Sequence, residues 1–228
     1  MSNEILWLIW IVVNFVFITI AYKMFGKTGL YAWIAFGTVI ANIQVTKNIE
    51  LFGFEATLGN IMYGTLFLVT DSLGELFGYE AAKKAVKIGF FTLLTTVVIM
   101  QIALLFEPTF WDEGHTALSY TFGLLPRIAL GSIMAYLVSQ FLDIKLFAMI
   151  KEKMPQDKYL WVRNNGSTLI SQLVDTVIFV PIAFLGVYDF SIVMSIFLTT
   201  YFFKVLVAFA DTPFIYLMKR ITPSKKTL

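Results

Sequence analysis

Six ionisable residues stand in runs of sequence that are otherwise apolar: Asp71, Glu75, Arg127, Asp175, Lys204 and Asp211. A charge withdrawn from water needs a counter-ion, a proton or converging hydrogen-bond partners. Four acids against two bases leave at least two carboxylates without a basic partner. A proton, a cation or a solute rich in N–H donors would resolve that excess. The pattern points towards recognising and moving a small polar species.

The spacings sharpen this reading. Asp71 and Glu75 are four apart in GNIMYGTLFLVTDSLGELFGYE, so they share one helix face. They accept N–H groups of a ligand or hold a proton; alternatively Asp71 pairs with a base and Glu75 is hydrated near the helix end. Arg127 follows Pro126, and it either contacts a ligand, pairs with Asp71 or Asp175, or snorkels outward. Ser132, Tyr136 and Gln140 make a stripe on the same helix. Asn164, Thr168, Gln172 and Asp175 recur at spacings of four, four and three, one polar face on an apolar helix. Such stripes line a cavity or tie helices together. Lys204 shares a face with Thr200 and Asp211 and needs a carboxylate nearby, Asp175 or Asp71. Asn42, Gln44 and Lys47 leave another segment at its end, where they cap the helix or close over a ligand.

The elements that carry these residues are membrane spans. The chain has 228 residues, is 58% hydrophobic and only 14% charged, too apolar for a soluble domain. About 20 apolar residues cross a bilayer core. Seven segments meet or approach that length, at 5–25, 30–46, 58–78, 86–106, 119–142, 166–188 and 190–218. The expected fold is all-α, a polytopic bundle of six to seven spans in one membrane domain, 1–228. The stretch 143–165 mixes Lys with Phe, Met and Trp and is expected as an interfacial loop. Every second connection is basic, which places the N-terminus outside and the C-terminus in the cytoplasm. Gly74 and Gly78, with Gly59 and Gly64, read as packing positions.

Other classes fit less well. There is no Cys, and the lone His115 has no second His near it, so disulfides, thiol catalysis and histidine metal sites are excluded. No HExxH or GxSxG motif occurs, which disfavours an intramembrane enzyme. The polar groups are too mixed for the uniform ring of a channel filter. The first segment starts with Glu4 and lacks a cleavage site, unlike a signal peptide.

The ordered motifs IANIQVTKNI, VTDSLGELFGYEAAKKAVKIGF, LPRIALGSIMAYLVSQFLDIKLF, STLISQLVDTVIFVPIAF and YFFKVLVAF resemble the queuosine precursor transporter family, earlier labelled vitamin uptake transporters. The resemblance spans roughly 30–218 and leaves segment 5–25 as an addition. It implies import across the cell membrane of a 7-deazaguanine, such as the 7-cyano or 7-aminomethyl base or queuine, for tRNA modification. It also implies an architecture similar to the substrate-binding subunits of energy-coupling-factor transporters. No cofactor or nucleic-acid partner is implied, whereas an energy-coupling module or a homo-oligomer is compatible with it; the chain itself carries no ATP-binding motif. The residues suit such a base. A carboxylate, Asp175 or Asp71, can accept N1–H and the 2-amino group together, and Asn42, Gln44, Arg127, Gln140, Gln172 and Lys204 can surround it. A ring face can stack on Tyr136, Tyr201 or one of the Phe residues. The alternative is proton-coupled or energy-coupled uptake of another small heterocycle or a vitamin.

Overall fold

The computed structural model describes residues 2–44, 46–123, 126–186 and 189–221. Helices dominate: α1 (Asn3–Gln44), α2 (Gly59–Phe77), α3 (Tyr79–Ala103), the short α4 (Gly114–Leu118), α5 (Pro126–Lys153), α6 (Leu160–Phe184) and α7 (Phe190–Arg220). Among the described residues five of these are long and apolar enough to cross a membrane: α1, α3, α5, α6 and α7. The molecule is a polytopic helical membrane protein.

The first two expected spans are two helical arms that join directly at Gly26. Gly26 has φ 57° and ψ −137°, a backbone that only glycine adopts without strain. The chain reverses there. A Cβ on Gly29 would collide with the carbonyl oxygen of Ala21, although eight residues of straight helix would separate the two by about 12 Å. The far ends also meet. Asn3 Nδ2 donates to Glu50 O at 3.0 Å and the Phe52 amide donates to Glu4 Oε1 at 3.1 Å. The arms 3–25 and 27–44 thus run antiparallel.

A small antiparallel hairpin, β1 (Asn48–Leu51) and β2 (Phe54–Thr57), pairs Asn48 with Thr57 and Leu51 with Phe54. The all-α expectation missed it. It caps the pole where α1 begins and ends. At the opposite pole Lys27 Nζ lies 5.5 Å from the Phe77 ring centroid and Tyr31 Oη donates to Ala81 O at 3.3 Å.

The segment 143–165 corrects the loop expectation. α5 continues to Lys153, and α6 begins at Leu160 after a single 3-10 turn at Asp157–Tyr159. Asp143, Ile144, Phe147, Leu160, Arg163, Asn164 and Asn165 are all buried. The apolar repeat Ile144, Phe147, Ile150 carries the helix past the charges that suggested an end.

The interior mixes an apolar core with many buried polar groups, while the outside is apolar. α2 is buried continuously from Gly64 to Gly74. α6 turns Asn164, Ser167, Thr168, Ser171, Gln172, Asp175 and Thr176 inward and Ile170, Leu173 and Val177 outward. A water-soluble helix shows the reverse. Outward rings and branched chains such as Phe91, Ile99 and Phe202 meet lipid tails at no cost.

Candidate functional site

A narrow pocket of about 40 Å³ lies in the half of the bundle nearer the hairpin pole, below the size range of small-molecule sites, so a ligand enters it only as the lining side chains move apart. It is lined by Asn42, Tyr63, Ser132, Asp175, Phe179 and Lys204, with Ala41, Gly59 and Ala135 between them. Five separate stretches supply these residues: the end of α1, the start of α2, the start of α5, the outer half of α6 and the middle of α7.

Asp175 is the focus. It is 2% exposed, and Lys204 pairs with its Oδ2. Ser139 Oγ donates to Oδ1 at 2.9 Å and Tyr63 Oη donates to the same oxygen at 3.3 Å. Lys204 Nζ also sits 5.6 Å from the Tyr63 ring centroid, a cation over a π face. The cavity therefore offers a carboxylate, an ammonium, a carboxamide at Asn42 and two aromatic walls. That set can hold a flat heterocycle with donors on one edge and an acceptor on another.

Of the expected site residues, Asn42, Asp175 and Lys204 come together here, and Ser132 joins them. The others do not line this cavity. Glu75 is claimed by Arg163, which donates twice, at 3.0 and 2.7 Å, and by Lys219 at 2.7 Å and Lys151 at 3.2 Å. This network knots α2, α5, α6 and α7 together at the pole opposite the hairpin. Tyr136 is wholly buried, edge-on to Tyr63 with its hydroxyl against Gly89. Asn164 Nδ2 donates to Asp211 Oδ1 at 2.7 Å. Asp71 accepts from Thr168 Oγ1 at 3.1 Å. Gln140 and Gln172 are buried, Gln140 next to Ser139 on α5 and Gln172 between Thr168 and Asp175 on α6. Gln44 is half-buried at the end of α1, and the Arg127 side chain lies outside the described residues.

Tyr63, Ser139 and Phe179 went unforeseen. Tyr63 and Phe179 look like ordinary apolar residues of their spans. Ser139 carried a signal, because it stands four before Asp143 and next to the stripe through Gln140.

A second cavity, of about 280 Å³, lies at the opposite pole, bordered by Thr70, Asp71, Gly78, Ile144, Lys151 and Glu152 among others.

Comparison with known proteins agrees with this architecture. Residues 57–218 match the family described as "Putative vitamin uptake transporter". The chain is 48% identical over 224 residues, 98% of both chains, to a Bacillus subtilis protein named "Probable queuosine precursor transporter". It is 31% identical over 172 residues, 74% of both chains, to the "Queuosine precursor transporter" of Escherichia coli (strain K12). No solved structure matches the chain. The extent of these matches places the chain in a family of transporters, not enzymes, and it belongs to the vitamin uptake transporter family.

Proposed function

We propose that this protein imports a queuosine precursor, a 7-deazaguanine base, through the cavity around Asp175. The 48% identity to a relative named for that cargo supports the substrate class. The observation that carries the site is the Asp175–Lys204 pair in a cavity walled by Tyr63 and Phe179. In the bound state the carboxylate of Asp175 accepts N1–H and the 2-amino group. Lys204, released from part of its pairing, and the Asn42 amide donate to O6. The base lies between the Tyr63 and Phe179 rings. The base edge is neutral, so Asp175 and Lys204 remain counter-ions across it while the base takes over part of their hydrogen bonding.

The bundle crosses the bilayer seven times in this reading, twice through the arms of α1 and once each through α2, α3, α5, α6 and α7. The hairpin pole faces outward, because the loop at the same pole carries Glu107, Asp112 and Glu113. Lys23, Lys27, Lys83, Lys84, Lys151, Lys153 and Lys219 gather at the other pole. The pocket at Asp175 then faces the outside and the cavity bordered by Asp71 the cytoplasm. The protein resides in the cell membrane and needs no ATP-binding motif of its own.

Uptake of radiolabelled 7-cyano- and 7-aminomethyl-7-deazaguanine by cells that make neither, with and without this protein, tests the reading. Accumulation that guanine competes for and adenine does not is the expected result, since adenine presents the reversed edge to Asp175. Uptake competed only by vitamins would replace the cargo and keep the transporter.

A further inference from the structure

Below the substrate cavity lies a second polar cluster that cargo recognition does not use. α2 brings Asp71, α5 brings Asp143 and α7 brings Asp211, with exposures of 1%, 0% and 0%. The Asp71 and Asp143 carboxyls are within hydrogen-bonding reach of each other, and Asp211 stands in electrostatic range of both. α6 packs against all three with neutral groups only: Thr168 on Asp71 at 3.1 Å, Ser171 on Asp143 at 2.8 Å and Asn164 on Asp211 at 2.7 Å.

The nearest cations are committed elsewhere. Lys204 belongs to Asp175 above, and Arg163, Lys151 and Lys219 belong to Glu75 below. Among the described residues no Lys, Arg or His pairs with Asp71, Asp143 or Asp211. What the cluster lacks is hydrogen. Asp71 Oδ1, Asp143 Oδ2 and Asp211 Oδ2 are buried acceptors without a donor. A fourth is Asn164 Oδ1, on a wholly buried side chain whose amide nitrogen already places it against Asp211. Four orphaned oxygens with no donor are costly in a dry interior.

We propose that Asp71, Asp143 and Asp211 form a proton-binding site, distinct from the substrate cavity, whose loading and release drive the transport cycle. A carboxyl–carboxylate pair in contact is held by a hydrogen between its oxygens, whereas a metal ion would hold the oxygens apart around itself. No acidic or histidine group suited to a metal occurs among the described residues. Asp71 borders the cavity at the far pole, which gives a proton access from that side. The proton adds to a carboxylate oxygen on one side of the membrane and leaves from it on the other, with no bond to the cargo.

The coupling part rests on the substrate reading above, and the site itself does not, so two measurements separate them. Infrared difference spectra of the purified, substrate-free protein should show a protonated-carboxyl C=O band that shifts in D2O and weakens in Asp143→Asn. Absence of such a band, or its persistence in both Asp143→Asn and Asp71→Asn, would overturn the site. In proteoliposomes an inward proton gradient should accelerate deazaguanine uptake, and Asp143→Asn should remove that acceleration while keeping cargo binding. Acceleration by a sodium gradient and not by a proton gradient would overturn the choice of ion.

Discussion

At the residue scale the account turns on Asp175 and Lys204. Hydrogen bonds to a charged group contribute about 1.5–3 kcal/mol each, and each 1.4 kcal/mol is tenfold in affinity. Asp175→Asn should therefore weaken deazaguanine binding by about 10- to 100-fold, measured by calorimetry, and Lys204→Met should do the same. Tyr136→Phe should behave differently. Its hydroxyl is buried without a partner, so its removal should leave affinity unchanged and thermal stability equal or higher. The sequence made these charges legible because a charge in an apolar run stands out. It did not reveal Tyr63 and Phe179, since an aromatic wall and a packing residue are written with the same letters. Asp143 was hidden for another reason. It opens the charged stretch after an apolar run, where a helix end and a helix interior give the same local signal.

At the element scale two devices hold the bundle in shape. The first is the reversal at Gly26. Gly26→Ala puts a Cβ where φ is positive, a strain of about 1–3 kcal/mol, and should lower the melting temperature in detergent by several degrees. The second is the Glu75 network. Arg163 is fully buried and faces Glu75. Glu75→Ala would leave that guanidinium uncompensated, a loss of about 3–5 kcal/mol. Glu75→Gln, which keeps hydrogen-bond acceptance, should lose less in the same unfolding measurement. The order of the apolar helices was readable from hydropathy. The direct join of the first two at Gly26 was not, because a reversal at one glycine and a longer turn share one composition. The hairpin at 48–57 escaped because its strands are only four residues long.

At the scale of the whole molecule, two cavities lie at opposite poles with a polar column between them: Asp175, Gln172 and Gln140, the three aspartates, then Glu75. At the basic pole the Glu75 knot ties α2, α5, α6 and α7 together beside the cavity that Asp71 borders. The proposed orientation rests on the charge difference between the poles. Because the chain has no cysteine, single cysteines report sidedness directly. Thr109→Cys should react with an impermeant maleimide from outside intact cells, and Lys153→Cys only after the membrane is opened; the reverse pattern would invert the topology. The inward polarity of α6 was visible in its spacing, yet which polar groups serve cargo and which serve one another was not. That division depends on how helices rotate against each other, and spacing along one helix does not fix it.

The most direct test is thermal stabilisation of the purified protein and its Asp175→Asn variant by a panel of 7-cyano- and 7-aminomethyl-7-deazaguanine, queuine, guanine, adenine and vitamins. A ligand at 100 times its Kd stabilises the folded state by about 2.7 kcal/mol. The account predicts a shift with a deazaguanine, none with adenine, and loss of the shift in Asp175→Asn. An undiminished shift in that variant would contradict the placement of the cargo at Asp175.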